Sequence, residues 1–523
     1  MKYTSKIIVT AVMFSCCSTT VWSQDSTALH YAGFITPQTI SRHLHVLASD
    51  SLEGRETAKP GMQKAASYVA KQFSSFGMKP LNEESYYQQV PLVLHTAGVI
   101  DIIAGNKLFE PGTDFYSFEM PSEINLVQDK IVFAGYGIVD SASGWNDYKD
   151  VDVTGKIVLI AEGEPVDKEG LSLISKTMDG SSWKKDSKKK IEIAKMKNAA
   201  AIFFVLNEFD GTIPRVKRWV ANGRLNLFDK KSDVKIPVIY INRAAGDQML
   251  TGSSTNLKKL KSRSVKTSKS VTMLVNTAVQ ISCTAMKTSC TNVLGYVEGS
   301  DLKDELIVIS AHLDHLGKRD NKIYYGADDD GSGCATILNM AEAFMKAKSE
   351  GKGPRRSILF ITFTGEEKGL LGSSYYTSNP YFPLQKTVAN LNIDMIGRVD
   401  TISHGTNRYT YVIGSKMLST DLHKINETAN SFCCNVMLDY KYDDPSDTEK
   451  LYYRSDHYNF AKNKVPVIFY FTGLHEDYHE PTDTPDKIDF VKTSEIGKLI
   501  FNTAWELSNR TERIKMDVET DPN

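Results

Sequence analysis

The stretch Leu306–Ser373 reads LIVISAHLDHLG (306–317), then YYGADDDGSG (324–333), then RRSILFITFTGEEKGLLGS (355–373). Two short apolar runs, Leu306–Ala311 and Ser357–Thr364, have the character of buried parallel strands. Each is followed by residues that bind metals: His312 and Asp314 after the first, Glu366 and Glu367 after the second. Between them an Asp- and Gly-rich turn leads into a segment with Cys334, Ile337, Leu338, Ala341 and Met345 at helical spacing. The spacing predicts a βαβ unit. Ligands of open α/β sheets bind just beyond the carboxyl ends of the strands, where all these acids and imidazoles fall. The stretch therefore predicts a metal site.

A chain of 523 residues is too long for one typical domain, and its net charge of −1 points neither to nucleic acid nor to an anionic membrane. At the amino terminus Lys2 and Lys6 precede a short apolar run, Ile7–Cys17, and small residues near Ser23. This is the pattern of an export signal over 1–23, and the run is too short to span a bilayer comfortably. Export to the periplasm or the medium is expected. The alternative is a lipoprotein anchored through Cys16 or Cys17, although the residues before them fit a lipobox poorly. No later segment is long and apolar enough to cross a membrane. Of the remaining cysteines, Cys283, Cys290, Cys334, Cys433 and Cys434, the pair Cys283 and Cys290 is the expected disulfide.

Residues 24–98 read as a helical preface. One helix after Thr36-Pro37 carries Ile40, Leu44 and Leu47, and the polar turn Ser51–Arg55 follows. A second, after Pro60-Gly61, carries Met62, Ala65, Ala66, Val69, Phe73 and Phe76. Residues 99–280 change character: short β-rich runs at 130–138, 156–160, 201–206 and 236–241, one helix at 191–198, and Lys-rich runs 184–190 and 258–269 expected as solvated loops. They read as a separate inserted module. The α/β alternation resumes over 281–511, with strands at 388–394, 409–413 and 465–471 and helices at 419–430 and 490–507. A polar tail, 512–523, is expected to fray.

Within this frame, His312 and Asp314 lie two apart at a strand end and point the same way, which suits a ligating imidazole and a carboxylate that takes its second N–H. Asp328-Asp329-Asp330 lacks the closing Glu of an EF-hand, Asn339 standing in its place, and three adjacent carboxylates are most simply explained by a bound dication. Glu366 and Glu367 cannot share one environment, so one can bind metal while the other takes a proton from water. Asp394 follows another apolar run. His475–His479 matches HExxH, but Gly473 before it and Pro481 after it leave no room for the helix that motif needs. A loop offering one His is expected. No G-x-S-x-G elbow supports a covalent nucleophile.

AHLDHLG, GADDDGSG, TGEEKGLLGS, NLNIDMIG, RSDHYNF and YHEPTDTPDKI, in this order, resemble the exported di-zinc aminopeptidases that share a fold with glutamate carboxypeptidase. The resemblance covers about 290–500, and SDSLEGRETAKPG near the amino terminus is similar to the same group. VFAGYGI, DVTGKIVLI and KNAAAIFFVL resemble a protease-associated domain. The fold implied is α/β, a zinc-exopeptidase, mostly parallel mixed sheet flanked by helices with a smaller inserted β-rich domain. The resemblance implies His312, Asp329, Glu367, Asp394 and His479 as ligands of two zinc ions, with Asp329 bridging them. It implies Glu366 as general base and then acid, Asp314 as the residue orienting His312, and Asp456 and His457 near the substrate. Such a site lowers the pKa of water towards about 7, and a substrate α-amine on one zinc would restrict cleavage to the first residue of a peptide. The alternatives are a one-zinc glutaminyl-cyclase-like acyltransferase, a carboxypeptidase or dipeptidase of the same fold, and a binding protein without catalysis. The sequence leaves the oligomeric state open.

Overall fold

The computed structural model describes residues 26–519, apart from 82–84, 97–99, 122, 229–235, 252, 254, 268–270 and 401–407. The expected export signal, with Cys16 and Cys17, lies outside them. Among the described residues no helix is long and apolar enough to cross a membrane.

The larger of two sheets has nine strands. In chain order these are β1 (Tyr87–His95), β2 (Arg224–Leu227), β3 (Met286–Val297), β4 (Leu302–His312), β5 (Arg356–Phe363), β6 (Thr387–Ile393), β7 (Tyr409–Ile413), β8 (Met437–Asp439) and β9 (Val467–Phe471). Their spatial order is β2-β1-β3-β5-β4-β6-β9-β7-β8. The central strands β5, β4, β6 and β9 run parallel, as does the outlying pair β7 and β8. The junctions β1–β2, β1–β3, β3–β5 and β7–β9 are antiparallel, so the sheet is mixed and its parallel part is chiefly the middle.

Alternation along the central strands builds a core on each face. Ile307, Ile309, Ala311, Ile358 and Phe360 pack into one apolar cluster, while Leu306, Val308, Leu359, Ile361 and Phe363 pack into another. The first face is covered by helices α1 (Ser26–Ala32), α2 (Pro37–Leu47), α3 (Pro60–Ser75), α4 (Gly333–Ser349), α6 (Thr420–Cys433) and α8 (Phe490–Asn509); the second is covered by α5 (Leu371–Ser378) and α7 (His457–Ala461). Unit β4–α4–β5 is the βαβ element the pattern predicts.

The smaller sheet, of eight strands, lies within 100–284 and has its own apolar cluster. Its strands include Glu123–Phe133, which starts and ends earlier than the expected 130–138, and Val271–Thr284. The strand Arg224–Leu227, inside the range read as an insert, instead joins the larger sheet through Leu92↔Leu227 and Leu94↔Leu225. The Lys-rich run 258–269 is mostly helix, Leu257–Thr267, because Leu257 and Leu260 bury one side of it.

Three further expectations are corrected. Cys283 and Cys290 are both free and buried; Cys290 lies in β3 and Cys283 at the end of a strand in the other sheet, while Cys433 and Cys434 form a disulfide. The tail does not fray over 511–519: Arg513 donates to Gln385 O and Thr387 O at 2.8 Å each, Asp517 accepts from Thr420 N at 2.8 Å, and Ile514 is buried. The turn Ser51–Arg55 is not simply polar surface. Arg55 is buried, and its guanidinium donates to Leu47 O (2.7 Å), Leu313 O (2.8 Å), Tyr325 O (2.7 Å) and Gly326 O (2.9 Å). One side chain thus satisfies carbonyls of α2, of the loop after β4 and of the Asp-rich loop, which otherwise would be buried without partners.

Replacing Arg55 by Met should lower the unfolding free energy by about 3 kcal/mol or more, because several buried carbonyls lose their donors. Chemical denaturation of Arg55→Met against the parent protein measures this.

Candidate metal centre

The four central parallel strands deliver the site. His312 is the last residue of β4, Glu366 and Glu367 follow β5, Asp394 follows β6, and His479 lies on the loop after β9. Asp329 comes from the loop between β4 and α4.

Asp329 stands at the middle with its two oxygens facing different partners. Oδ1 is 3.1 Å from His312 Nε2, which is itself 3.4 Å from Asp394 Oδ1. Oδ2 is 3.1 Å from His479 Nε2 and 3.7 Å from His315 Nδ1. Glu367 Oε1 completes the second group, 3.3 Å from His479 Nε2 and 2.9 Å from His315 Nδ1. Two clusters of donor atoms result, His312–Asp329–Asp394 and His315–Asp329–Glu367, each compact enough to hold a cation. The sequence signal for His315 is its place in HLDHLG, three residues after His312.

The donor set fits a metal. Among the described residues, the ion-pair partners of Asp329, Glu367 and Asp394 are histidines, and Glu367 Oε1 is enclosed without a hydrogen bond. Buried carboxylates of like charge at this separation are costly unless a cation lies between them. The same field acts on the imidazole of His479: although burial opposes it, Asp329 and Glu367 hold its pKa up at about 10. Carboxylates and imidazoles at these separations suit zinc.

The neighbouring acids have other work. Asp330 accepts from His312 N, Gly333 N and Met395 N, and burial pushes its carboxyl well above the usual range. Asp328 Oδ1 accepts from Gly397 N at 2.6 Å, and its Oδ2 is 3.3 Å from His475 Nε2. Asp483 accepts from the amides of Asp328 and Asp329. Only Asp329 of the triplet faces the clusters.

Asp314 does not meet His312 as expected. His312 Nδ1 lies 3.0 Å from the main-chain carbonyl of Asp314, while the Asp314 carboxylate accepts from Thr57 Oγ1 (2.6 Å) and Glu366 N (3.1 Å). The carbonyl takes the imidazole because the chain turns directly after β4, leaving the carboxylate to tether the loop that carries Glu366.

The HExxH match is a turn. His475 is buried against Asp328, Glu476 is exposed and pairs with Arg398 at 3.3 Å, and Asp477 binds Arg398 (2.9 Å) and Lys487 (2.6 Å). Only His479 reaches the donors.

A cavity of about 50 Å³ opens on the first cluster, lined by His312, Asp329, Glu366, Asp394, His479 and apolar Met395, Phe469 and Leu474. Burial lifts the Glu366 carboxyl well above its ordinary range, reinforced by Glu367 and Asp394 and opposed by His312. A larger cavity of about 590 Å³ shares Leu451, Arg454, Phe471 and Leu474 with it. Asp456 and His457 line neither. Asp456 is fully buried and accepts from Ser373 Oγ, with burial raising its pKa to about 7. His457 stacks on Phe469 at 4.7 Å, and burial lowers its pKa to about 3. Their neighbours Arg454 and Ser455 face the cavity instead, and Ser455 Oγ donates to Asp394 Oδ2 at 2.7 Å. Asp456 and His457, expected near the substrate, are thus buried beside the cavity, and Arg454 and Ser455 line it.

The profile of peptidase family M28 matches residues 292–504, the segment carrying every donor described. This chain is similar to a probable leucine aminopeptidase of Arthroderma otae, 32% identical over 211 residues, 39% of this chain and 55% of the relative. It is similar also to a probable leucine aminopeptidase of Trichophyton verrucosum, 30% identical over 214 residues, 40% of this chain and 56% of the relative. The chain thus spans about half the length of the curated relatives it matches. An aminopeptidase from Aneurinibacillus sp. strain AM-1 shares the fold, with a TM-score of 0.52, 18% identity, and 94% of this chain and 98% of that chain covered.

Glu476→Gln should leave bound zinc per chain unchanged, whereas His479→Ala should lower it; elemental analysis of the dialysed proteins compares them. Loss of zinc from Glu476→Gln would restore a helical HExxH reading.

Proposed function

We propose that this chain is an exported aminopeptidase that hydrolyses the first peptide bond of peptides at a two-zinc site. The observation that carries this reading is Asp329, whose two oxygens face separate clusters of donors. His312 and Asp394 would hold one zinc with Asp329, and Glu367 and His479 the other. Bound there, zinc supplies Lewis acidity towards water and the substrate carbonyl.

Glu366 carries the proton. Its carboxylate takes a proton from the attacking water as the water oxygen bonds to the carbonyl carbon, then delivers it to the leaving amine as the C–N bond breaks. Amide N of Glu366 on the Asp314 carboxylate fixes the segment from which that side chain reaches the cavity. Met395, Phe469 and Leu474 offer the first side chain an apolar surface. Ser455 holds Asp394 in place. The VFAGYGI and KNAAAIFFVL segments support reading the smaller sheet as a protease-associated module, and the amino-terminal pattern supports export.

Glu366→Gln should keep its zinc while kcat for an aminoacyl amide falls by about 10²- to 10⁴-fold. Peptides with a blocked amino terminus should resist the parent enzyme, and removal of zinc by chelation should abolish hydrolysis reversibly. Cleavage of blocked peptides at their carboxyl end would favour the carboxypeptidase reading, and a glutaminyl substrate cyclised without peptide hydrolysis would favour the acyltransferase.

A further inference from the structure

The second donor cluster contains an imidazole to which neither the resemblance nor the proposed reaction gives a role. His315 is fully buried, and its Nδ1 approaches the two oxygens, Glu367 Oε1 and Asp329 Oδ2, that His479 approaches from another direction. The two rings lie 5.8 Å apart, centroid to centroid, at 62°. Neither nitrogen of His315 makes a hydrogen bond among the described residues, and neither does Glu367 Oε1, although Nδ1 and Oε1 are 2.9 Å apart. A donor and an acceptor that close would bond if the N–H pointed at the oxygen. Two ligands of one cation stand close without pointing at each other, because both point at the ion.

The ring is also held for that purpose. Main-chain N of His315 donates to Arg55 O at 3.1 Å. On the ring's flank sits Gly326, where a Cβ would lie 2.5 Å from His315 Cγ and 2.6 Å from Cδ2. Arg55 fixes that glycine through its carbonyl. Space for the imidazole is therefore built into the Asp-rich loop itself.

We propose that His315 is a metal ligand, the fourth protein donor of the position formed by Asp329, Glu367 and His479. The proposal rests on the two-zinc reading and adds an asymmetry to it. His312, Asp329 and Asp394 give the first position three protein donors, leaving it open, whereas four close the second. The cavity reaches His312, Asp394 and Glu366 directly, and of the second position's donors it reaches Asp329 and His479 but neither His315 nor Glu367. Water and substrate would then meet the first position, and the second would be the tighter, structural one.

The experiment uses the full chain and zinc alone. Zinc K-edge X-ray absorption of the His312→Ala protein, in which the first position is disabled, should count two imidazoles per bound zinc. His315→Ala should weaken the tighter zinc by more than about 100-fold in competition with a chromophoric chelator, exceeding the roughly 10–100-fold range of lost outer partners. Cobalt in that position should lose its intense four-coordinate visible bands. A count of one imidazole would overturn the assignment, as would His315→Ala binding zinc as tightly as the parent or keeping the cobalt spectrum. Should that variant not fold, the imidazole count on the His312→Ala protein still decides. If the parent chain takes up no zinc, the two-zinc reading itself fails; if it takes two and the count is one, only the role of His315 fails.

Discussion

A single carboxylate shared between two nests of imidazoles and acids sets the terms for this protein. Asp329 presents one oxygen to His312 and Asp394 and the other to Glu367, His479 and His315. So much like charge in a buried place is unstable without a cation, and the folded scaffold must hold the groups together against their repulsion. The parallel middle of the sheet does this by aiming four strand ends at one rim, with large apolar clusters on both faces preventing any strand from sliding.

Strand ends alone are not accurate enough, and the loops between them are tied by main-chain hydrogen bonds to buried charges. Arg55 gathers carbonyls from three segments, Asp330 and Asp483 gather amides, and Asp314 joins Thr57 to the loop of Glu366. Charge-assisted bonds of this kind are short and directional, so they set positions to a fraction of an ångström. A side-chain contact, His475 Nε2 at 3.3 Å from Asp328 Oδ2, links the Asp-rich loop to the loop that carries His479. An HExxH sequence thus serves a site in which only its last residue faces the donors.

The inserted module is not an appendage on a simple linker. It returns a strand, Arg224–Leu227, to the edge of the larger sheet, beside Tyr87–His95. Strand pairing of this kind ties that segment to the larger sheet through backbone hydrogen bonds rather than through side chains alone.

The sequence by itself determined the βαβ frame, the positions of most central strands and helices, and the set of strand-end acids and histidines from which the site is drawn. Those features are local: a buried parallel strand shows as a continuous apolar run, and a helix shows its period. Tertiary structure decided which atom of each candidate does what. Three consecutive aspartates look alike in sequence, and only the path of the loop turns Asp329 to the donors while backbone amides occupy Asp328 and Asp330. The same holds for Asp314, whose carbonyl rather than carboxylate meets His312, and for His457, which the short helix α7 points into the core while Arg454 and Ser455 face the cavity. His315 and Arg55 gain their importance from partners far along the chain, and no spacing rule reaches that distance. Chemistry at this site depends on separations of about 3 Å, which are fixed by folded loops and are not written in the order of residues.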